Sequence, residues 1–173
     1  MLIDLAKTQI HLEWLKKKLY LDAISSNAIQ RTVKRGDVYE CELGVGIGSE
    51  MQKKRPCVVI QNNKANYTSP NTIVIPITHD NSTLPCMVPI STYTDANGSI
   101  ILDGKANTSC IVCVSKARLG DKKCSLSRTD IEAIEESLAV TLGLIDRYNS
   151  VVSEVNRLRA YIGKLKQSEQ NGL

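Results

Sequence analysis

The chain has no phenylalanine, one tryptophan and two histidines among its 173 residues. Without Phe, its interior has to be built from Ile, Val, Leu and Cys. No segment approaches the ~20 consecutive apolar residues of a helical membrane span. The opening MLIDLAKTQIHLEWLKKK carries charges inside its apolar stretch and lacks the uninterrupted core of a signal peptide, so the expected compartment is the cytoplasm. There is no internal repeat and no low-complexity segment. The formal net charge of +4 is too small to demand a nucleic-acid partner by itself.

What is present is a chain with 42% hydrophobic and 23% charged residues, the balance of a globular protein with one core. Six cysteines raise the question of disulfides or metal. Cys41, Cys57, Cys110 and Cys113 lie in apolar, strand-like runs, where a free thiol serves as a small buried hydrophobe. The CIVC of Cys110 to Cys113 has no second pair and no nearby histidine, and in a strand a spacing of three sends its two ends to opposite faces. These cysteines therefore read as core. Basic residues cluster locally at Lys53, Lys54 and Arg55, and again at Lys116, Arg118, Lys122 and Lys123.

The hydrophobic period divides the chain into an N-terminal helical extension (1–31), a β-rich domain (32–143) and a C-terminal helical extension with its tail (144–173). In the first, Leu5, Leu12, Leu15 and Leu19 form one helical stripe, and Ile3, Ile10, Trp14 and Leu21 form another nearly opposite. Such a helix is expected to be contacted on two sides. From Val33 the pattern becomes that of strands: VKRGDVYECEL, RPCVVIQNN, NTIVIPITH, PCMVPI, GSIILDG and SCIVCVSKA, separated by turn residues such as Asn81, Gly98 and Gly104. Asn107 and Thr108 also read as turn residues. With no crossover helices, a parallel sheet is excluded; the expectation is an α+β fold built on a small, strongly bent antiparallel barrel. Pro56, Pro76 and Pro89 predict edges or bulges at those points.

Helix resumes at SLSRTDIEAIEE, with Thr129 and Glu132 at capping-box spacing and Ile131, Ile134 and Leu138 on the buried face. Beyond Gly143, residues Leu144, Tyr148, Val151, Val155, Leu158, Ile162 and Leu165 alternate steps of four and three, a heptad seam of about three repeats. QSEQNGL reads as a frayed tail. The two extensions have matching lengths, roughly 28 Å and 33 Å at the rise of a helix, and are expected to pair within one chain or across a dimer.

One loop stands out. GVGIGSEMQKKRP carries glutamate, two lysines and an arginine to the mouth of an apolar strand. The order of RGDVYECEL, GSEMQKKRPCVVIQNN, IVIPITH, SKARLG and a helix closing SLAVTLGLID, over about Val33 to Leu144, resembles the MazF/PemK family of toxin endoribonucleases. The resemblance implies an SH3-like barrel of the CcdB/MazF type, a homodimer, and cleavage of single-stranded RNA (mRNA) with no metal and no cofactor. It implies 2′,3′-cyclic phosphate and 5′-hydroxyl ends, and a cognate antitoxin as partner. It assigns catalysis to Arg55 and Thr78. Ser49, Glu50 and Gln52 match the family's RNA-binding loop. Lys53, Lys54 and His79 depart from the pattern at the same place and are substrate-binding candidates.

The chemistry suits these side chains. When a ribose 2′-hydroxyl attacks phosphorus, charge gathers on the non-bridging oxygens, and fixed donors must meet it. A guanidinium held on a strand is such a donor, and a threonine hydroxyl supplies a second hydrogen bond. A guanidinium is a poor base near neutrality, which leaves Glu50 and His79 as candidates to take the proton. Plainer roles compete: Lys53 and Lys54 as a solvated charge run, Glu50 as an ion-pair partner, Thr78 as an ordinary strand residue, His79 as an RNA-edge or surface residue, and His11 on a lysine-flanked helical surface. The competing function is that of a non-catalytic MazF/CcdB-type protein that binds a protein partner or acts as an oligomerisation module.

Overall fold

The structure, a computed structural model, describes residues 4–170, with side chains placed through residue 163. Ile3, the side chain of Leu165 and residues 171–173 of the tail lie outside the described residues.

The first helix, α1 (Leu5–Ala23), is capped by Asp4, whose carboxylate accepts from the amides of Ala6 and Lys7. A 3-10 turn at Ser25–Gln30 leads into β1 (Asp37–Glu42), β2 (Lys54–Val59), a short α2 (Asn63–Thr68) and β3 (Asn71–Thr78). Then follow β4 (Met87–Pro89), β5 (Tyr93–Thr94), β6 (Ile100–Leu102), β7 (Lys105–Asn107), β8 (Val112–Ser115) and β9 (Leu119–Ser125), and finally α3 (Arg128–Thr141) and α4 (Ile145–Gln170). Helix α4 therefore continues through the first four residues of the stretch read as a frayed tail.

The main sheet has seven strands, ordered β4-β7-β3-β2-β1-β9, with β8 pairing β3; every pair is antiparallel. It is barrel-like without closing. Alternation sends Val38, Val58, Ile75 and Ile77 to one face, where Ile134 of α3 covers them, and Tyr39, Cys41, Cys57, Val59 and Val74 to the other, against Val114 and Leu119. The central strands are apolar without interruption because both faces are buried. Cys41 and Cys57 are core, as expected; contact with Cys41, together with burial, pushes the Cys57 thiol upward. Cys113, on the outward side of β8, is exposed, so the core expectation fails there.

Two prolines occupy central strands rather than edges. Pro56 pairs only toward β1, because the β2–β3 ladder begins at Cys57. Pro76 falls where β3 has left β8 after Val74 and has not yet met β7 at Ile77, so its missing N–H is not needed there. Pro89 ends β4, an edge strand, as expected.

Helix α3 is capped two residues earlier than the expected box. Ser127, not Thr129, accepts from the Asp130 amide. Asp130 itself turns away from the helix end and accepts from the Ser91 amide and hydroxyl, both at 3.1 Å, and from the Tyr93 hydroxyl. Burial alone would raise its pKa, but these donors hold the carboxyl below its ordinary value. Thr108 is not a loose turn residue: it is buried, its amide donates to the Cys86 carbonyl at 2.8 Å, and its hydroxyl meets Ser137 at 2.7 Å, joining β7 to α3.

The two terminal helices do not cover each other within the chain. Leu12 and Leu15 remain 56% and 50% exposed, and Val151 and Leu158 57% and 49%. Of the two α1 stripes, only the one with Trp14 and Leu21 reaches the barrel; expected contact on both sides is not found in the single chain. Among the described residues no helix is long and apolar enough to cross a membrane.

Candidate active site at the ends of β2 and β3

The register that pairs Cys57 with Pro76 and Val58 with Ile75, continued two places outward, brings Arg55 opposite Thr78. The guanidinium Nη1 lies 3.4 Å from the Thr78 hydroxyl, and Nε donates to the Gln52 carbonyl at 2.8 Å. Both side chains are half-buried. Arg55 is thus anchored by one nitrogen on the loop before β2, while the outer end of its fork points to the threonine. Thr78 is fixed from behind: it pairs with Lys105, and a Cβ on Gly104 would stand 2.6 Å from the Thr78 carbonyl. Only glycine permits that approach, in a backbone with φ +107°.

Arg55 and Thr78 line a cavity of about 460 Å³ together with Lys53, Lys54, His79, Asp103 and Lys123. Strand β3 ends at Thr78, so His79 is released from the alternation that would have sent it to the far face, and it reaches the same rim. Its Nε2 is 2.5 Å from Asp103. Among the described residues Lys53 and Lys54 form no ion pair, and both are exposed; Lys123 is engaged with Glu40 at 2.8 Å. Lys53 also has φ +67°, unusual for a side chain with a Cβ and a modest local strain beside the arginine.

Ser49 and Glu50 are not in this cavity but in a neighbouring one of about 500 Å³, with Met51, Asn107 and Cys110. Among the described residues Glu50 pairs with no lysine: its carboxylate accepts from the Ile47 amide at 2.9 Å. Gln52 likewise turns inward and accepts from the Gly46 amide at 3.2 Å. These two side chains shape the loop, while the exposed Ser49 sits at its tip. The basic cluster at 116–123 is not a free patch. Lys116 is fully buried, its ammonium donating to the Asn66 carbonyl and lowered in pKa by desolvation. Arg118 donates to the carbonyls of Glu42 and Leu43, both at 3.1 Å, and Lys122 pairs with Asp37 at 2.7 Å.

Sequence reading missed Asp103, which carries no pattern of its own, placed Arg118 only in a basic cluster, and missed the role of Gly44 under Trp14, although a lone tryptophan on one helical stripe was a visible signal. A larger cavity, about 1180 Å³, lies elsewhere, between β4, α3 and the start of α4. Its walls include Leu84, Val140, Leu144 and Tyr148, better suited to an apolar occupant than to a phosphate chain.

A bent antiparallel, barrel-like sheet thus presents an arginine–threonine pair and two exposed lysines where β2 begins and β3 ends. Residues 34–142 match the family described as PemK-like, MazF-like toxin of type II toxin-antitoxin system, and the chain belongs to that family. Endoribonuclease EndoA of Bacillus subtilis (strain 168) is 38% identical over 118 residues, which span 66% of this chain and 97% of that protein. An endoribonuclease from Mycobacterial species, solved in complex with its cognate antitoxin, is 27% identical with a TM-score of 0.54, covering 65% of this chain and 96% of that one. MazF from Deinococcus radiodurans shares the fold at 14% identity and a TM-score of 0.57, over 65% and 98% of the two chains. Helices α1 and α4 both lie outside the matched residues 34–142.

Proposed function

We propose that this protein is the toxin of a toxin-antitoxin pair, a cytoplasmic endoribonuclease that cuts single-stranded RNA without metal and leaves 2′,3′-cyclic phosphate and 5′-hydroxyl ends. The observation that carries this reading is the Arg55–Thr78 pair, 3.4 Å apart on two adjacent strands and open to a cavity edged by lysines. The reaction needs no added water: the ribose 2′-oxygen forms a bond to phosphorus, the bond from phosphorus to the 5′-oxygen breaks, and one proton leaves the first oxygen while another reaches the second. Arg55 and Thr78 donate to the non-bridging oxygens as charge builds there. Lys53 and Lys54 take flanking phosphates, and the loop carrying Ser49, Glu50 and Gln52 lies along the RNA. Of the two candidate proton carriers, His79 is favoured over Glu50, because it shares the cavity with Arg55 while Glu50 lines the neighbouring one. The protein acts as a homodimer and is held inactive by an antitoxin segment.

Cleavage of a long single-stranded RNA by the full chain tests the assignment. Arg55→Ala should lower the rate by at least ~10²-fold with the fold intact, the scale of losing one oxyanion donor. Thr78→Val, which keeps the shape and removes the hydroxyl, should cost less, about tenfold for one hydrogen bond to a charged group. Wild-type rates in Arg55→Ala would end the proposal. The exposed apolar seams of α1 and α4 support a second reading, an added protein-binding role beside catalysis.

A further inference from the structure

The N-terminal helix, foreign to the family match, sits on the hinge of the substrate loop. Loop residues 43–53 are closed at their base by two hydrogen bonds: the Leu43 amide to the Lys53 carbonyl at 3.0 Å, and the Lys53 amide to the Gly44 carbonyl at 2.6 Å. Lys53 stands two residues before Arg55. Whatever sets the position of Gly44 is therefore felt at Lys53 through one hydrogen bond.

Gly44 is buried, with φ +94°, and what buries it is Trp14 of α1. A Cβ at residue 44 would stand 2.4 Å from the indole, so the ring occupies the space that any side chain at this position would need. The other side of the grip is Arg118, whose guanidinium is 5.3 Å from the Trp14 ring centroid and donates to the Glu42 and Leu43 carbonyls. Lys17, one turn further along α1, pairs with Glu42 at 3.2 Å. Helix α1 thus touches the last strand residue and the hinge of the loop by stacking, by ion pair and by close packing, although most of its surface faces water.

We propose that α1 is a clamp that preorganises the substrate loop, with Trp14 as its positioning residue and Arg118 as the bridge to the barrel. This rests on the reading of 43–53 as the RNA-binding loop. Because the indole touches no reacting atom, its contribution is to hold the loop with Lys53 and Lys54 in the binding geometry before RNA arrives, while Arg55 is held within β2 by its pairing with Cys41. Loosening the clamp should weaken RNA binding in ground and transition state alike, raising KM and sparing kcat.

The test uses the full chain with Trp14→Ala, Trp14→Phe and, as control, Leu15→Ala on the open stripe. For Trp14→Ala we expect a KM for single-stranded RNA about tenfold higher, the scale of one lost cation–π contact with its packing, and kcat within about twofold of wild type. Amide hydrogen exchange at Lys53 should accelerate in parallel, since its bond to Gly44 is no longer backed. Trp14→Phe, which keeps an aromatic face on Arg118, should restore most of both, and Leu15→Ala should change neither. Unchanged KM and unchanged Lys53 protection in Trp14→Ala would overturn the clamp. Equal loss in Trp14→Phe and Leu15→Ala would also overturn it, by showing a general weakening of α1. If the wild-type protein cuts no RNA, the nuclease reading fails and the exchange measurement decides the clamp alone.

Discussion

The barrel and the terminal helices have similar amounts of apolar patterning and opposite fates. In the barrel, Val38, Val58, Ile75 and Ile134 are completely shielded from water. In the helices, Leu5 is 81% exposed, and the α4 seam from Leu144 to Ile162 stays open along its length. The difference shows what periodicity means. A repeat of 3.6 or 2 residues says that a face is apolar; what covers that face is a separate fact, set by topology. The strands find their cover because α3 packs on one face of the bent sheet and Val114 and Leu119 close the other. Helices α1 and α4 leave the sheet from opposite ends of the chain, and only the Trp14–Leu21 side of α1 comes back to it.

The contrast can be broken most forcefully at Ile134. Ile134→Ala empties a fully enclosed site against Val38 and Ile75 and should cost about 2–5 kcal/mol, read from the shift of a urea unfolding midpoint. A loss below about 1 kcal/mol would mean that α3 is not the lid of the core.

A smaller effect is expected at the polar staple between α3 and the β4–β5 connection. Since the folded state holds the Asp130 carboxyl below its ordinary value of 3.8, its ionised form stabilises the fold. That contribution is complete above the ordinary value and fades as the pH falls through the lower folded one. Asp130→Asn should therefore destabilise at neutral pH, by about 1–3 kcal/mol for donors left unmatched, and narrow its deficit in acid. A deficit that is constant with pH would remove charge from the explanation.

The smallest effect belongs to α4. Leu158→Ala in dilute protein should stay within about 0.5 kcal/mol of wild type, as for other surface changes. A larger loss that grows with protein concentration would show that a second copy covers the seam, restoring the expected helix pairing across a dimer.

How far the sequence carried the reading follows the same division. Strands β1, β2 and β3 were legible because their apolar runs are bounded by turn residues. Strand β9 was not: LGDKKCS buries only Leu119 well, and its lysines face outward as befits an edge strand. Strand β7 and helix α2 are too short and too polar to show a period. Arg55 and Thr78 were legible through the family resemblance, but their approach is a product of strand register, which no local pattern encodes. Lys116 misled for a physical reason: a lysine is assigned to the surface by default, and here its ammonium finds a buried carbonyl. Gly44 and Trp14, thirty residues apart, meet only because α1 folds back on the loop.

The most direct test of the site is the chemistry of the cut ends. The full chain, incubated with a long single-stranded RNA in excess EDTA, should cleave it and leave 2′,3′-cyclic phosphate on one side and a 5′-hydroxyl on the other, with Arg55→Ala silent under the same conditions. Fragments bearing 5′-phosphate and 3′-hydroxyl ends, or cleavage abolished by EDTA and restored by a divalent cation, would contradict an arginine–threonine site acting on an internal nucleophile.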